Sequence, residues 1–160
     1  MASDIYSLGA TLYWLLVGRA PYTGARHEDV LAKVTTGLPP ALSLVAPHVP
    51  RGIRDVVEKA MSRLPASRFL RVSEFEYALA KHSYSKRKWS RIRTHPAHEA
   101  CFTGNKGKST LAVCAIADGR LPVLTIAVTH QPSGRNATPP VTASRKQLPQ
   151  KLRSIFRNYN

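Results

Sequence analysis

In the first seventeen residues, Ile5, Leu8, Leu12, Leu15 and Leu16 repeat at helical spacing, while Tyr6, Ala10, Tyr13, Trp14 and Val17 make the other faces apolar as well. The pattern predicts a helix from Ser3 or Asp4 to Val17, with a capping side chain at its start and Gly18 at its stop. A helix apolar all round is expected to be buried all round. Further helices are predicted over 27–35, over 52–63 with Ile53, Val56, Val57, Ala60, Met61 and Leu64 inward, and over 73–80, where Ser73 and Glu76 have capping-box spacing. Four prolines fall within 37–50, which therefore reads as an irregular connection.

Beyond residue 100 the period changes. Segments 109–117 and 122–130 are rich in small, β-branched and aliphatic residues, and Asp118-Gly119 between them is a hairpin signal. In the first strand Leu111, Val113 and Ala115 share one face and Ala112, Cys114 and Ile116 the other, so both faces are expected to be covered. Gly104-Asn105-Lys106-Gly107-Lys108-Ser109 reads as a turn: its glycines stand too close for a phosphate-binding loop, and a strand follows where a helix is needed. Segment 131–144, rich in Pro, Ser, Thr and Gly, reads as loop. Leu148, Leu152, Ile155 and Phe156, ringed by Arg145, Lys146, Lys151, Arg153 and Arg157, form a short basic amphipathic helix expected to pack on the hairpin, the alternative being a membrane surface or nucleic acid. The fold class is α+β, a mainly helical first part followed by a small basic α+β appendage.

The chain has 160 residues, with 24 Lys and Arg against 9 Asp and Glu, for a net charge of +15. Residues 1–80 hold 9 basic and 7 acidic side chains and 81–160 hold 15 and 2, so nearly all the excess, +13, lies in the second half. This asymmetry sets the expected domains at 1–80, a basic linker at 81–94, and an accessory domain at 95–160. Two cysteines rule out a disulfide-dense scaffold. The longest apolar run, 8–17, falls short of the roughly 20 residues of a membrane-spanning helix. No signal peptide is recognisable, and a cytoplasmic location is expected.

Three motifs carry more information. Ser3-Asp4-Ile5-Tyr6-Ser7-Leu8-Gly9, then the run Leu12 to Gly24 with Gly18-Arg19-Ala20-Pro21-Tyr22 inside it, and later Leu64-Pro65-Ala66-Ser67-Arg68-Phe69 agree in order and spacing with one family. Over about residues 3–80 the chain resembles the last third of a Hanks-type bacterial Ser/Thr protein kinase, in the C-lobe. The resemblance implies that Asp4 holds the backbone of the catalytic loop, that Asp4 and Gly9 open the buried central helix, and that Arg68 pairs with the Glu of an A-P-E motif. It also implies that the helix beginning near Arg26, His27 and Val30 helps to form a protein-docking face. Trp14 departs from the pattern, in which Glu is common. Without the motif context, Asp4 reads as a helix cap and Arg68 as a surface or ion-pair charge.

Phosphoryl transfer in that family requires a Gly-rich loop, a strand Lys, the H-R-D Asp, an Asn and the D-F-G Asp. None of these motifs occurs in residues 1–160. No catalytic residue is therefore assigned, and ATP and Mg are implied for the parent family alone. The expectation is a kinase fragment inactive by itself, whose central helix needs another protein to cover it.

The alternative is a non-enzymatic basic module in 81–160. Lys86, Arg87, Lys88, Arg91 and Arg93, interleaved with Trp89, can neutralise phosphates while the indole stacks on a base; the competing reading is a solvated linker. Finally, His95, His98, Cys101 and Cys114 are chemically a tetrahedral zinc set. Pro96 and the missing C-x-x-C knuckle weigh against it, leaving ordinary buried cysteines with surface histidines, or a Cys101–Cys114 disulfide, as the other readings.

Overall fold

The computed structural model describes residues 2–82, 84–117, 119 and 122–160, and the chain divides into two compact units, Met1–Tyr84 and Ser85–Asn160.

The first unit is helical: α1 (Ala2–Val17), α2 (His27–Thr36), a single turn α3 (Leu42–Val45), α4 (Arg51–Ala60), a 3-10 turn at Pro65–Ser67 and α5 (Val72–His82). Ile5, Gly9 and Tyr13, four residues apart, line the buried face of α1, and Ile53, Val56, Val57 and Ala60 line that of α4. Gly9 makes the crossing close: a Cβ there would lie 2.9 Å from both Ala60 Cβ and Met61 Cγ. The Tyr13 hydroxyl donates to the Pro40 carbonyl at 2.9 Å and pins the proline-rich connection. That connection is not wholly irregular, because Leu42 enters the core and draws one helical turn with it. Phe69 and Phe75 meet edge to face at 5.7 Å in a second apolar cluster with Ile5, Val56 and Ala60. At the start of α5, Glu74 accepts the Leu70 N–H at 3.1 Å, one turn earlier than the Ser73–Glu76 box predicted.

Within this unit α1 is not buried all round, and part of its apolar surface is left uncovered. Trp14 is 52% exposed and Leu15 65%, with Leu8 beside them at 40%. The helices of this unit pack against one side of α1. Because Gly9 sits against a helix backbone, Gly9→Val is expected to cost about 1–3 kcal/mol by overpacking. Amide exchange of α1 and α4 measures this; a change below about 0.5 kcal/mol, the ordinary surface range, would mean the crossing is loose.

The second unit is an antiparallel meander, β1 (Lys88–Ile92), β2 (His98–Lys106), β3 (Ser109–Ala117), β4 (Val123–Gln131) and β5 (Val141–Ser144) in spatial order β1-β2-β3-β4-β5, followed by α6 (Leu148–Asn158). Ala100 and Phe102, Leu111, Val113 and Ala115, Leu124, Ile126 and Val128, and Ala143 share one face, and α6 sets Leu152 and Phe156 into it. The Gln147 side-chain oxygen accepts from the Ser144 N–H at 3.2 Å, and Pro149 lies in the first turn of α6, where its missing N–H costs nothing. Gly107 (φ 56°) opens the two-residue β2–β3 loop as the first residue of a type II′ turn, so 104–109 closes a hairpin. Asp118 of the expected Asp118-Gly119 turn lies outside the described residues; β3 and β4 pair with Ala117 opposite Leu124.

Three strands were not anticipated. Residues 81–94 are not a linker throughout: Lys81 and His82 end α5, and Lys88–Ile92 pairs with β2. β1 is too basic to show a buried period, as suits an edge strand whose charges discourage further pairing. β2 is masked at its end by Gly104 and polar neighbours, and β5 by the proline-rich loop before it. Gly104 has a packing reason, since a Cβ there would lie 2.4 Å from the Trp89 indole.

Candidate functional site

In the first unit Arg68 acts as a tie. Its Nε donates to the Ser62 carbonyl (2.8 Å), Nη1 to the Ala2 carbonyl (2.9 Å) and Nη2 to the Arg63 carbonyl (3.3 Å), with the guanidinium 4.8 Å from the Tyr6 ring centre. A planar fork of donors can hold two strands of backbone in this way. It thereby joins the segment before the 3-10 turn to the first turn of α1, which contains Asp4. Asp4 is exposed and Gly9 buried. Arg26 precedes α2, its backbone N–H donating to Asp29 Oδ2 at 3.2 Å; Arg26 and His27 are exposed and Val30 is half-buried.

The basic cluster of the second unit is split by the fold. Lys86, Lys88, Arg91 and Arg93 remain exposed. Arg87 is buried, its Nη1 donating to the carbonyls of Gly104 (2.8 Å) and Ser109 (3.0 Å), Nε to that of Tyr159 (3.0 Å), and Nη2 to Ser109 Oγ (3.3 Å). Trp89 packs edge to face on Phe156, ring centres 4.8 Å apart. The expectation that Arg87 contacts a polyanion and Trp89 stacks on a base is corrected for both residues: each is committed to the apolar side of the sheet, where α6 covers it.

The opposite face of the sheet assembles the His and Cys set. Cys101 and Cys114 are directly opposed on β2 and β3. His98 stands three positions before Cys101, which in a regular strand would put them on opposite faces. A bulge between His98 and Ala100 inserts one extra residue, so His98 stands opposite Ile116 and shares a face with both cysteines. His95 arrives from a turn: the His98 N–H donates to the His95 carbonyl at 3.1 Å, with Pro96 second and Ala97 third at φ 62°. Pro in the second place of a type II turn is ordinary, but the third normally belongs to Gly. Ala97 in the left-handed region is strained, and the Ala117 N–H fixes it by donating to the Ala97 carbonyl at 2.9 Å.

The outcome is tight. His98 Nδ1 lies 3.2 Å from Cys101 Sγ, His95 Nδ1 lies 3.3 Å from Cys101 Sγ and 3.9 Å from Cys114 Sγ, and all four donor atoms lie within 4.8 Å of one another. Both cysteines are free thiols; Cys101 is buried, His98 half-buried and His95 exposed. Burial, with the Cys101 sulfur alongside, pushes the Cys114 thiol up to about 12. A bound dication reverses that balance by supplying the opposing charge. Sequence spacing brought these four residues to notice, while the bulge that aligns them left no signal in it.

Among known proteins, the chain is 40% identical over 70 residues to the serine/threonine-protein kinase PknK of Mycobacterium bovis, covering 42% of this chain and 6% of that one. It is 31% identical over 74 residues to the serine/threonine-protein kinase PrkC of Bacillus subtilis, covering 46% and 11%. It is 29% identical over 119 residues to the serine/threonine-protein kinase PknA of Mycobacterium tuberculosis, covering 74% and 27%. A region of the chain is therefore related to bacterial serine/threonine kinases, and the chain spans about a quarter or less of each relative. No protein-family model matches it. No solved structure matches it either.

Proposed function

We propose that residues 3–80 form the C-terminal part of the C-lobe of a bacterial Ser/Thr protein kinase, followed by an accessory domain that begins near residue 85. The observation that carries this reading is Arg68: the arginine of the Pro-Ala-x-Arg-Phe motif reaches across to the start of the helix that carries the Asp-x-Tyr-Ser-x-Gly motif. Two motifs far apart in sequence thus meet, although the Glu of an A-P-E motif, which the resemblance gives Arg68 as its partner, is not among these 160 residues.

The division of labour follows from the chemistry. Transfer of a γ-phosphoryl group to a Ser or Thr hydroxyl needs a phosphate cradle, metal ligands and a base. These 160 residues lack the family's motifs for that set, so ATP and Mg do not fit here and no step of transfer is assigned to this chain. Its contribution is the floor of the lobe. Asp4 would hold the catalytic-loop backbone, Gly9 lets α1 and α4 pack closely, and Arg68 would anchor the end of the activation segment. The groove beside Arg68, about 750 Å³ and lined by Ser3, Tyr6, Tyr22 and Leu64, is where that segment would lie. The exposed face of Leu8, Trp14 and Leu15 would lie under the remainder of the lobe, and α2, entered through Arg26 and His27, would present the docking face.

The test is phosphate transfer from labelled ATP with Mg. The 160-residue chain is expected to incorporate none, and a chimera of PrkC carrying residues 3–80 in place of its matching stretch is expected to autophosphorylate. A folded but inactive chimera, or activity in the 160 residues alone, would overturn the reading. The alternative of a polyanion-binding second unit rests on the exposed Lys86, Lys88, Arg91 and Arg93; affinity for nucleic acid that does not fall with salt would remove it.

A further inference from the structure

We infer that His95, His98, Cys101 and Cys114 form a structural zinc site that locks the entry of the second unit's sheet. A tetrahedral zinc with sulfur ligands at ~2.3 Å and nitrogen ligands at ~2.0–2.1 Å places neighbouring donors about 3.3–3.8 Å apart. Three sulfur–nitrogen separations, 3.2, 3.3 and 3.9 Å, bracket that spacing, and all four donor atoms lie within 4.8 Å of one another, a spread that small side-chain rotations close. The donor set of two sulfurs and two nitrogens selects zinc among common divalent ions, because Mg and Ca require oxygen ligands.

Two features of the backbone serve this cluster. The β2 bulge turns His98 to the face of the cysteines, and the strained Ala97 turn brings His95 back over them. A regular strand and a relaxed turn would leave two thiols and two distant imidazoles. With all four positions filled by protein there is no open place for water, so the site is structural rather than catalytic. Binding exchanges protons for metal: each thiol releases its proton to solvent, two thiolates and two neutral imidazoles bind one dication, and no electron changes hands. In mechanical terms the ion ties the 93–97 loop to β2 and β3, on the face that α6 does not cover.

The test uses the whole 160-residue chain, expressed in zinc-supplemented medium and purified without chelator. One zinc per chain is expected by elemental analysis. Replacement by Co(II) is expected to give the intense ligand-field bands of a tetrahedral site, with thiolate-to-metal charge transfer. His95 is exposed, so His95→Asn should fold as the parent does, and it is expected to weaken zinc binding by at least the ~10–100-fold that loss of a mere outer-shell partner costs, since a direct ligand is removed. Cys114→Ser is expected to do the same and to abolish part of the charge-transfer intensity. Metal-free wild-type protein with two free thiols, a Cys101–Cys114 disulfide as its native form, or unchanged zinc affinity in folded His95→Asn would each overturn the inference.

Discussion

Phe156→Ala is expected to remove a large part, about half, of the stability of the second unit. The ring lies in the middle of the sheet's apolar face, 5% exposed, with Trp89 at 4.8 Å and Phe102 at 5.0 Å in edge-to-face contact. Truncating a buried Phe costs about 3–5 kcal/mol, because the lost transfer energy is joined by a cavity that neighbours fill only partly. A unit of this size has roughly 4–11 kcal/mol to lose, at ~0.05–0.15 kcal/mol per residue. The measurement is amide exchange on β2, β3 and β4 in the presence of a chelator, so that ligand binding does not add to the stability being read. A loss under about 1 kcal/mol, as for an exposed site, would mean that α6 does not pack on the sheet.

The second large effect belongs to Arg87. Arg87→Met keeps much of the apolar stem but leaves the carbonyls of Gly104, Ser109 and Tyr159 without this donor. Of these only the Gly104 carbonyl is buried; leaving a buried acceptor unsatisfied costs about 1–3 kcal/mol, and water can reach the other two, so the expected total is about 1–3 kcal/mol. Arg87→Lys is not expected to rescue it, since an ammonium is a point donor and cannot bridge the β2–β3 hairpin and the end of α6 with a planar fork. Denaturant unfolding of the three proteins decides the matter: Lys matching wild type would reduce Arg87 to a surface charge with a well-packed stem.

These two residues also show where reading along the chain falls short. Arg87 and Trp89 belong to a basic run, and in one dimension a charge run with aromatics is the same whether its side chains face water or a sheet. The direction is set by pairing: Trp89 stands opposite Gly104, whose missing side chain makes room for the indole. The hydrophobic face of β3 was legible, because Leu111, Val113 and Ala115 alternate cleanly and are the residues that α6 covers. The amphipathic α6 was legible for the same reason. β2 was not, because its His, Glu, Cys and Gly positions mix metal donors, a bulge and a packing gap into nine residues, and each breaks the period that identifies a strand.

The first unit repeats the lesson with helices. Spacing grouped Ile5 with Leu8, Leu12, Leu15 and Leu16 and set Tyr13 on another face, whereas Ile5, Gly9 and Tyr13 form the buried one. A side chain's own hydrophobicity does not say which neighbouring element is there to cover it.

Local chemistry is therefore what the sequence by itself determined: the helices with a 3.6-residue period, the two central strands with a period of two, the motif residues Asp4, Gly9 and Arg68, and the donor types His95, His98, Cys101 and Cys114. The tertiary structure decided which of them meet. Arg68 reaches Ala2 across 66 positions, and Arg87 reaches Tyr159 across 72, by hydrogen bonds from the guanidinium to a backbone carbonyl that no local pattern encodes. The four sulfur and nitrogen donors converge only because one bulged residue changes the face of a strand. Such convergence depends on the direction of side chains in space, and a single inserted residue reverses that direction while leaving the spacing in the sequence unremarkable.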